Sequence, residues 1–168
     1  MKVTEELLNK YNVPVPRYTS YPPANHFSGT FGERDFITML RESNGRNPEN
    51  IAIYIHVPFC KRICYYCGCN SCHIGTGSQV APYFRALERE IRLVSAYIDK
   101  SRAVSQVHLG GGTPNAVSFS YLENVIGLLR SEFSFAENPE IAIECDPASL
   151  DLSYVDSLIA AGFNRISF

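Results

Sequence analysis

Residues 51–70 read IAIYIHVPFCKRICYYCGCN, and this stretch decides the fold. The segment Ile51 to Val57 is β-branched and apolar, as a strand of a buried parallel sheet should be. Three cysteines then follow, Cys60, Cys64 and Cys67, in the spacing Cys-x3-Cys-x2-Cys. A closed iron–sulfur cluster or structural zinc site takes four protein ligands, so the triplet is one thiolate short. A cube of four irons on three thiolates leaves one iron open, and an open position is what a metal site needs to do chemistry.

Outward from the cysteine loop the pattern becomes regular. Pro82 to Ile98 carries Phe84, Leu87, Ile91, Val94 and Ile98 at helical spacing, with charges on the opposite face. SQVHLG (105–110) is a second strand and runs into Gly110-Gly111-Gly112. Tyr121 to Arg130 is a second helix with Leu122, Val125, Ile126 and Leu129 inward, and EIAIECD (140–146) is a third strand. Leu152 to Ala161 is a third helix, closed by Gly162, and NRISF (164–168) begins a fourth strand. The order βαβαβαβ predicts an α/β fold of parallel strands joined by helical crossovers. Cysteines end the first strand, glycines the second, and Glu144 and Asp146 the third. The C-terminal ends of parallel strands are where such folds build their sites.

Residues 1–50 differ. They are expected to form an irregular N-terminal arm, rich in Pro and Tyr around PRYTSYP (16–22), with a short helix over Glu33 to Glu42 on which Phe36, Met39 and Leu40 share a face. Residues 51–168 form the second region. The chain stops inside or just after a strand, so it is expected to be the N-terminal part of a longer protein.

The 168 residues suffice for a core, and 45% hydrophobic with 19% charged residues is ordinary for a globular protein. A formal charge of −2 gives no electrostatic case for nucleic acid or a membrane surface. There is neither a transmembrane-length apolar run nor a signal peptide, which predicts the cytoplasm. Five of the six cysteines crowd between Cys60 and Cys72, where disulfides would close almost nothing; such a cluster suits metal or redox chemistry instead.

Zinc ligation by Cys64-x2-Cys67 and Cys69-x2-Cys72, with His73 nearby, would leave one residue between the two hooks, far tighter than usual zinc spacing. An ordinary ferredoxin arrangement lacks its second phased pair. The open three-cysteine cluster fits best. Gly110 to Pro114 (GGGTP) lets backbone approach a ligand closely, or is simply a tight strand-to-helix turn; no Gly-Lys-Ser/Thr follows to make it a phosphate loop. Glu144 interrupts an apolar strand, either as a buried acceptor for ribose hydroxyls or as a strand-end carboxylate paired with a lysine. Tyr54 reads as a core aromatic, His56 and His108 as satisfied core histidines. Cys72 and His73 have no assigned role.

The cysteine loop after a first strand, with Tyr66 just before the last cysteine, resembles the radical S-adenosylmethionine enzymes. PRYTSYP, YIHVPFC (54–60), CGCN (67–70), GGGTP and IECDP (143–147) are similar to the oxygen-independent coproporphyrinogen III oxidase (coproporphyrinogen III dehydrogenase) family, over Arg17 to Phe168. Heme-chaperone relatives share the cluster loop but usually carry an aromatic where Cys69 stands, and they lack the PRYTSYP arm.

The resemblance implies the N-terminal half of a partial (β/α) radical-SAM barrel. It implies a [4Fe–4S] cluster on Cys60, Cys64 and Cys67, with the amino and carboxylate groups of S-adenosyl-L-methionine on the fourth iron. Gly111, Gly112 and Thr113 would lie beside the methionine end, Glu144 at the ribose, Tyr54 against the cofactor and Tyr66 near its adenine. Cys69 would not be a cluster ligand. Arg17 would pair with a propionate, or with Tyr18 and Tyr21 simply pack as part of the arm.

The implied reaction belongs to anaerobic heme biosynthesis. Two propionates of coproporphyrinogen III are oxidatively decarboxylated to vinyls through a 5′-deoxyadenosyl radical, giving protoporphyrinogen IX. An electron donor and an acceptor are then required; no nucleic acid or membrane partner is expected, and the protein is expected to be a monomer. This stretch alone is not expected to turn over. The competing readings are a heme chaperone or other radical-SAM relative, and a non-catalytic metal-binding or electron-transfer module.

Overall fold

The computed structural model describes residues 3–12, 23–45 and 49–168. Arg17, Tyr18 and Tyr21, proposed from the PRYTSYP segment, lie outside the described residues. The chain forms two compact units, Met1–Phe36 and Ile37–Phe168.

The first unit contains a helix not anticipated from its composition, α1 (Glu5–Tyr11). Its signals are local. The Thr4 hydroxyl accepts from the Leu7 N–H at 3.2 Å, Glu5 and Glu6 occupy the positive end, and Lys10 the negative end. A second helix, α2 (Glu33–Ser43), starts where Gly32 N–H donates to Asp35 Oδ2 at 2.9 Å. None of its residues is buried, so the shared apolar face of Phe36, Met39 and Leu40 does not become a core surface among the described residues.

The second unit is built on a four-stranded parallel sheet of order β1 (Ile51–Val57), β4 (Ala103–Gly111), β5 (Ser134–Glu144) and β6 (Arg165–Ser167). The crossovers are α3 (Val80–Ser95), α4 (Phe119–Glu132) and α5 (Leu152–Ala161). The expected βαβαβαβ order is thus observed, with α3 starting two residues early so that Pro82 sits in its first turn, where a missing N–H costs nothing. Gly162 closes α5 in the left-handed region at φ 92°. The third strand begins at Ser134, earlier than expected. Its pairing with β4 slips between Val104 (opposite Phe135) and Gln106 (opposite Glu140), a stretch that contains Pro139, which has no N–H to give the ladder.

Register separates the two faces of this sheet. Ile53, Val107 and Ile141 lie side by side, as do Ile55, Leu109 and Ile143. These residues face the helices and form one core with Phe84, Leu87, Ile91, Leu122, Val125, Ile126 and Leu129. Alternation along each strand sends the intervening residues the other way: Tyr54 and His56 on β1, His108 and Gly110 on β4, Glu144 on β5. The apolar face holds the fold, and the polar face is left for chemistry. Across the helical layer, Glu132 ties α4 to α3 by accepting from Arg92 Nη1 at 2.7 Å and from the buried Ser95 hydroxyl at 3.0 Å.

Candidate active site

Four chain segments meet at the C-terminal ends of the strands. The first is the cysteine loop, which is closed by two very short parallel strands, β2 (Phe59–Cys60) and β3 (Cys72–His73). Cys72 N–H donates to Pro58 O at 2.8 Å and Ile74 N–H to Cys60 O at 2.9 Å. Cys72 and His73, which had no role in the sequence, therefore form the return leg that clamps the loop shut through backbone bonds. Cys60 is buried at the root of the loop, whereas Cys64, Cys67, Cys69 and Cys72 are exposed and none of the six cysteines is in a disulfide.

The second segment is the glycine run, and each glycine is required by a different neighbour. A Cβ on Gly110 would stand 2.9 Å from the Glu144 carboxyl group. Gly111 has φ +116°, and its Cβ would meet the His56 ring at 2.7 Å. A Cβ on Gly112 would lie 2.8 Å from the Pro58 carbonyl and 2.9 Å from Cys60 Sγ. The run is stitched to the cysteine loop by Gly112 N–H to Val57 O at 2.8 Å and Thr113 N–H to Phe59 O at 2.9 Å. The Thr113 hydroxyl adds a bond to Cys60 Sγ at 3.4 Å.

The third segment is the turn after β5. Asn115, 3% exposed, presents both ends of its amide to the backbone of Asp146: Nδ2 donates to Asp146 O at 3.0 Å, and Oδ1 accepts from Asp146 N–H at 2.8 Å. This residue was missed in the sequence, because its partner lies 31 residues on and only the fold brings the two together. The fourth segment is the end of β6, where Ser167 O accepts from Cys145 N–H at 2.8 Å.

A cavity of about 510 Å³ opens among these segments, and Cys64, Tyr66, Gly112, Thr113 and Glu144 line it together with Lys61 and Arg62. Gly111 joins the site through its bond to Glu144 and Tyr54 through the His108 ring, and Cys60 lies beneath Gly112 and Thr113. A second cavity of about 570 Å³ runs along β1 beside α3 and is lined by Tyr54 but by no cysteine.

Glu144 is less buried than expected, with 46% of its side chain exposed, and its side-chain partner is a histidine rather than a lysine. His108 Nε2 stands 3.1 Å from Oε1, and Gly111 N–H donates to Oε2 at 3.2 Å. Tyr54, His56 and His108 are not core residues. Tyr54 is 56% exposed and lies flat on the His108 ring, 12° between planes. Its phenol is pushed up by desolvation, then by the Glu144 charge and by Cys69. Tyr66 stands almost fully exposed at the cavity rim.

Cys67 accepts from the Cys69 N–H at 3.4 Å and lies 3.5 Å from the Ser71 hydroxyl; the Ser71 bond, then that N–H, hold its thiol below the ordinary value. Burial instead pushes Cys145 up to about 11. Among the described residues no three His, Cys, Asp or Glu side chains converge on a point one metal ion could occupy. Three thiols spread along a clamped loop fit a cluster that takes one thiolate at each of three corners, and the bonds that lower the Cys67 thiol ease its conversion to the thiolate that ligates.

A family model described as the radical SAM superfamily matches residues 54–168. The chain is 42% identical, over its whole length and 36% of the relative's, to an oxygen-independent coproporphyrinogen III oxidase of Synechocystis. It is 43% identical to the enzyme of that name from Escherichia coli, over 96% of this chain and 34% of that one. A solved structure of the Escherichia coli coproporphyrinogen III oxidase, described as a radical SAM enzyme, superposes with a TM-score of 0.81 at 39% identity over 96% of this chain and 35% of that one. The chain therefore spans about a third of the length of the relatives it matches. Its parallel sheet has the fold of that enzyme's N-terminal part. With the family match running from the middle of β1 through the cysteine loop, the glycine run and Glu144 to β6, the chain belongs to the radical SAM superfamily.

Proposed function

We propose that the protein carrying this chain catalyses the oxidative decarboxylation of two propionates of coproporphyrinogen III to vinyls, giving protoporphyrinogen IX in anaerobic heme biosynthesis. The observation that carries this reading is the meeting of the cysteine loop, the glycine run and Glu144 at one cavity, in a chain 42–43% identical to enzymes named for that substrate.

Cys60, Cys64 and Cys67 would hold a [4Fe–4S] cluster, on a loop whose ends β2 and β3 fix. When bound, the cluster and S-adenosyl-L-methionine supply the one-electron chemistry that activates the propionate β-carbon. The chain's own residues bind and orient. The backbone of Gly111 and Gly112 and the Thr113 hydroxyl offer polar groups to the methionine end, and the Glu144 carboxylate accepts from ribose hydroxyls. Tyr54 and Tyr66 supply aromatic surface for the nucleoside. Each decarboxylation removes one hydrogen from the β-carbon, one CO₂ and one further electron, so an electron donor and an acceptor are required as partners. Clustered cysteines used as thiolates suit a reducing compartment, and the cytoplasm is proposed on that ground. Among the described residues no helix is long and apolar enough to cross a membrane.

The test is product analysis of the full-length protein, prepared anaerobically with reductant, S-adenosyl-L-methionine and coproporphyrinogen III. Methionine, 5′-deoxyadenosine and protoporphyrinogen IX are expected together. Heme binding without decarboxylation would replace this reading with a heme-trafficking one. Zinc in place of iron in the anaerobic preparation would reduce the protein to a metal-binding module.

A further inference from the structure

We propose that His108 is a positioning residue that fixes the Glu144 carboxylate for recognition of a ribose diol; this rests on the nucleoside-binding reading given above. A carboxylate offers about four acceptor positions across its two oxygens. Here each oxygen already has one protein donor: His108 Nε2 at 3.1 Å on Oε1 and Gly111 N–H at 3.2 Å on Oε2. Because a carboxylate only accepts, Nε2 must carry the hydrogen. Two acceptor positions then remain, one on each oxygen, which matches the two hydroxyls of an unsubstituted ribose. A half-exposed glutamate without such bracing rotates freely, and a diol would have to bear the cost of ordering it.

His108 is itself held. Tyr54 lies on its ring, with centroids 5.8 Å apart. The Tyr54 hydroxyl is 3.2 Å from His56 Nδ1, and His56 Nε2 is 2.7 Å from the Asn70 carbonyl. The carbonyl can only accept, so His56 donates from Nε2; in the neutral imidazole Nδ1 is then the acceptor and the Tyr54 hydroxyl the donor. The chain of contacts begins at Asn70, in the cysteine loop, and ends at Glu144. Gly110 completes it by leaving out the one Cβ that would occupy the carboxyl group's place.

Equilibrium binding to the full-length, iron-loaded protein tests this, with S-adenosyl-L-methionine and its 2′,3′-dideoxyribose analogue as probes. His108→Ala is expected to weaken binding of the ribose form about tenfold, the scale of one hydrogen bond to a charged group. Binding of the dideoxy analogue and iron per chain should not change. His108→Gln, whose amide nitrogen reaches close to where Nε2 stands, should recover most of the loss. Unchanged affinity in His108→Ala, equal losses for both probes, or no recovery in a folded His108→Gln would each overturn the proposal. A wild-type protein that binds neither probe would instead overturn the nucleoside-binding reading on which it stands.

Discussion

Gly110 makes room for Glu144: a methyl group at Gly110 would stand 2.9 Å from the carboxyl carbon and from both carboxyl oxygens. The obstructed group is the far end of a flexible, half-exposed side chain, so it can swing away at little cost to the fold. Gly110→Ala is therefore expected to change unfolding stability by less than about 1 kcal/mol while weakening S-adenosyl-L-methionine binding at least tenfold. Denaturant melts and equilibrium binding on the same preparation check the pair of outcomes. A stability loss with unchanged binding would contradict the geometry.

Gly112 is obstructed differently, by the Pro58 backbone and by Cys60 Sγ. Backbone cannot rotate aside. Gly112→Ala is expected to cost about 1–3 kcal/mol, as overpacking does, and to lower iron content by displacing the root of the cysteine loop. Chemical denaturation and iron analysis of the reconstituted protein measure both.

Replacing Cys60, Cys64 or Cys67 by Ser is expected to lower iron per chain after anaerobic reconstitution, whereas Cys69→Ser should retain it. Cys72→Ser should also retain it, because Cys72 closes the loop through its backbone N–H to Pro58 rather than through its thiol. Equal iron loss from all five variants would sink the three-ligand assignment.

The features legible in the sequence were those with a run, a period or a spacing. The β-branched apolar run Ile51–Val57 and the apolar stripe of Phe84, Leu87 and Ile91 marked the strand and helix order, and the cysteine spacing marked the metal loop. What escaped depends on register or on single backbone bonds. His108 and Glu144 are 36 residues apart and meet only because β4 and β5 pair as they do. The β2–β3 clamp is two residues on each side, too short to leave a pattern. The glycines were recognisable as a close approach, but what they approach within the protein, Glu144, His56 and the root of the cysteine loop, is set by the fold. The helix α1 escaped because its cap and seven residues were outweighed by the Pro- and Tyr-rich composition around residues 16–22.

Asn115 joins the turn after the glycine run to the turn after β5 by two bonds to one residue's backbone, in a place 3% exposed. Asn115→Ala would leave the carbonyl and the N–H of half-buried Asp146 without their partner, each costing up to about 1–3 kcal/mol. A loss of roughly 2–4 kcal/mol in denaturant unfolding is expected after partial rescue by water. Asn115→Asp should be no better, because a carboxylate cannot donate to Asp146 O and would set its negative charge against the lone pairs of that carbonyl.

Acid should loosen α5 before the sheet. Asp151 caps that helix: its Oδ1 accepts from the Tyr154 N–H at 2.8 Å and from the Ser153 hydroxyl at 2.7 Å. The Ser153 bond, then the Tyr154 N–H, hold its carboxyl below the ordinary aspartate value. The folded value is thus lower than the unfolded one, near 3.9, and the unfolded chain binds more protons in between. The cap's contribution is fully present above pH about 4 and is lost as pH falls through the depressed folded value. Amide hydrogen exchange of Tyr154 and Val155, followed from pH 6 downward and corrected for intrinsic rates, should show protection declining only in that window. Asp151→Asn keeps a capping oxygen without the titration and should flatten the profile while leaving the helix formed. Protection that declines identically in both proteins would assign the acid sensitivity to another group.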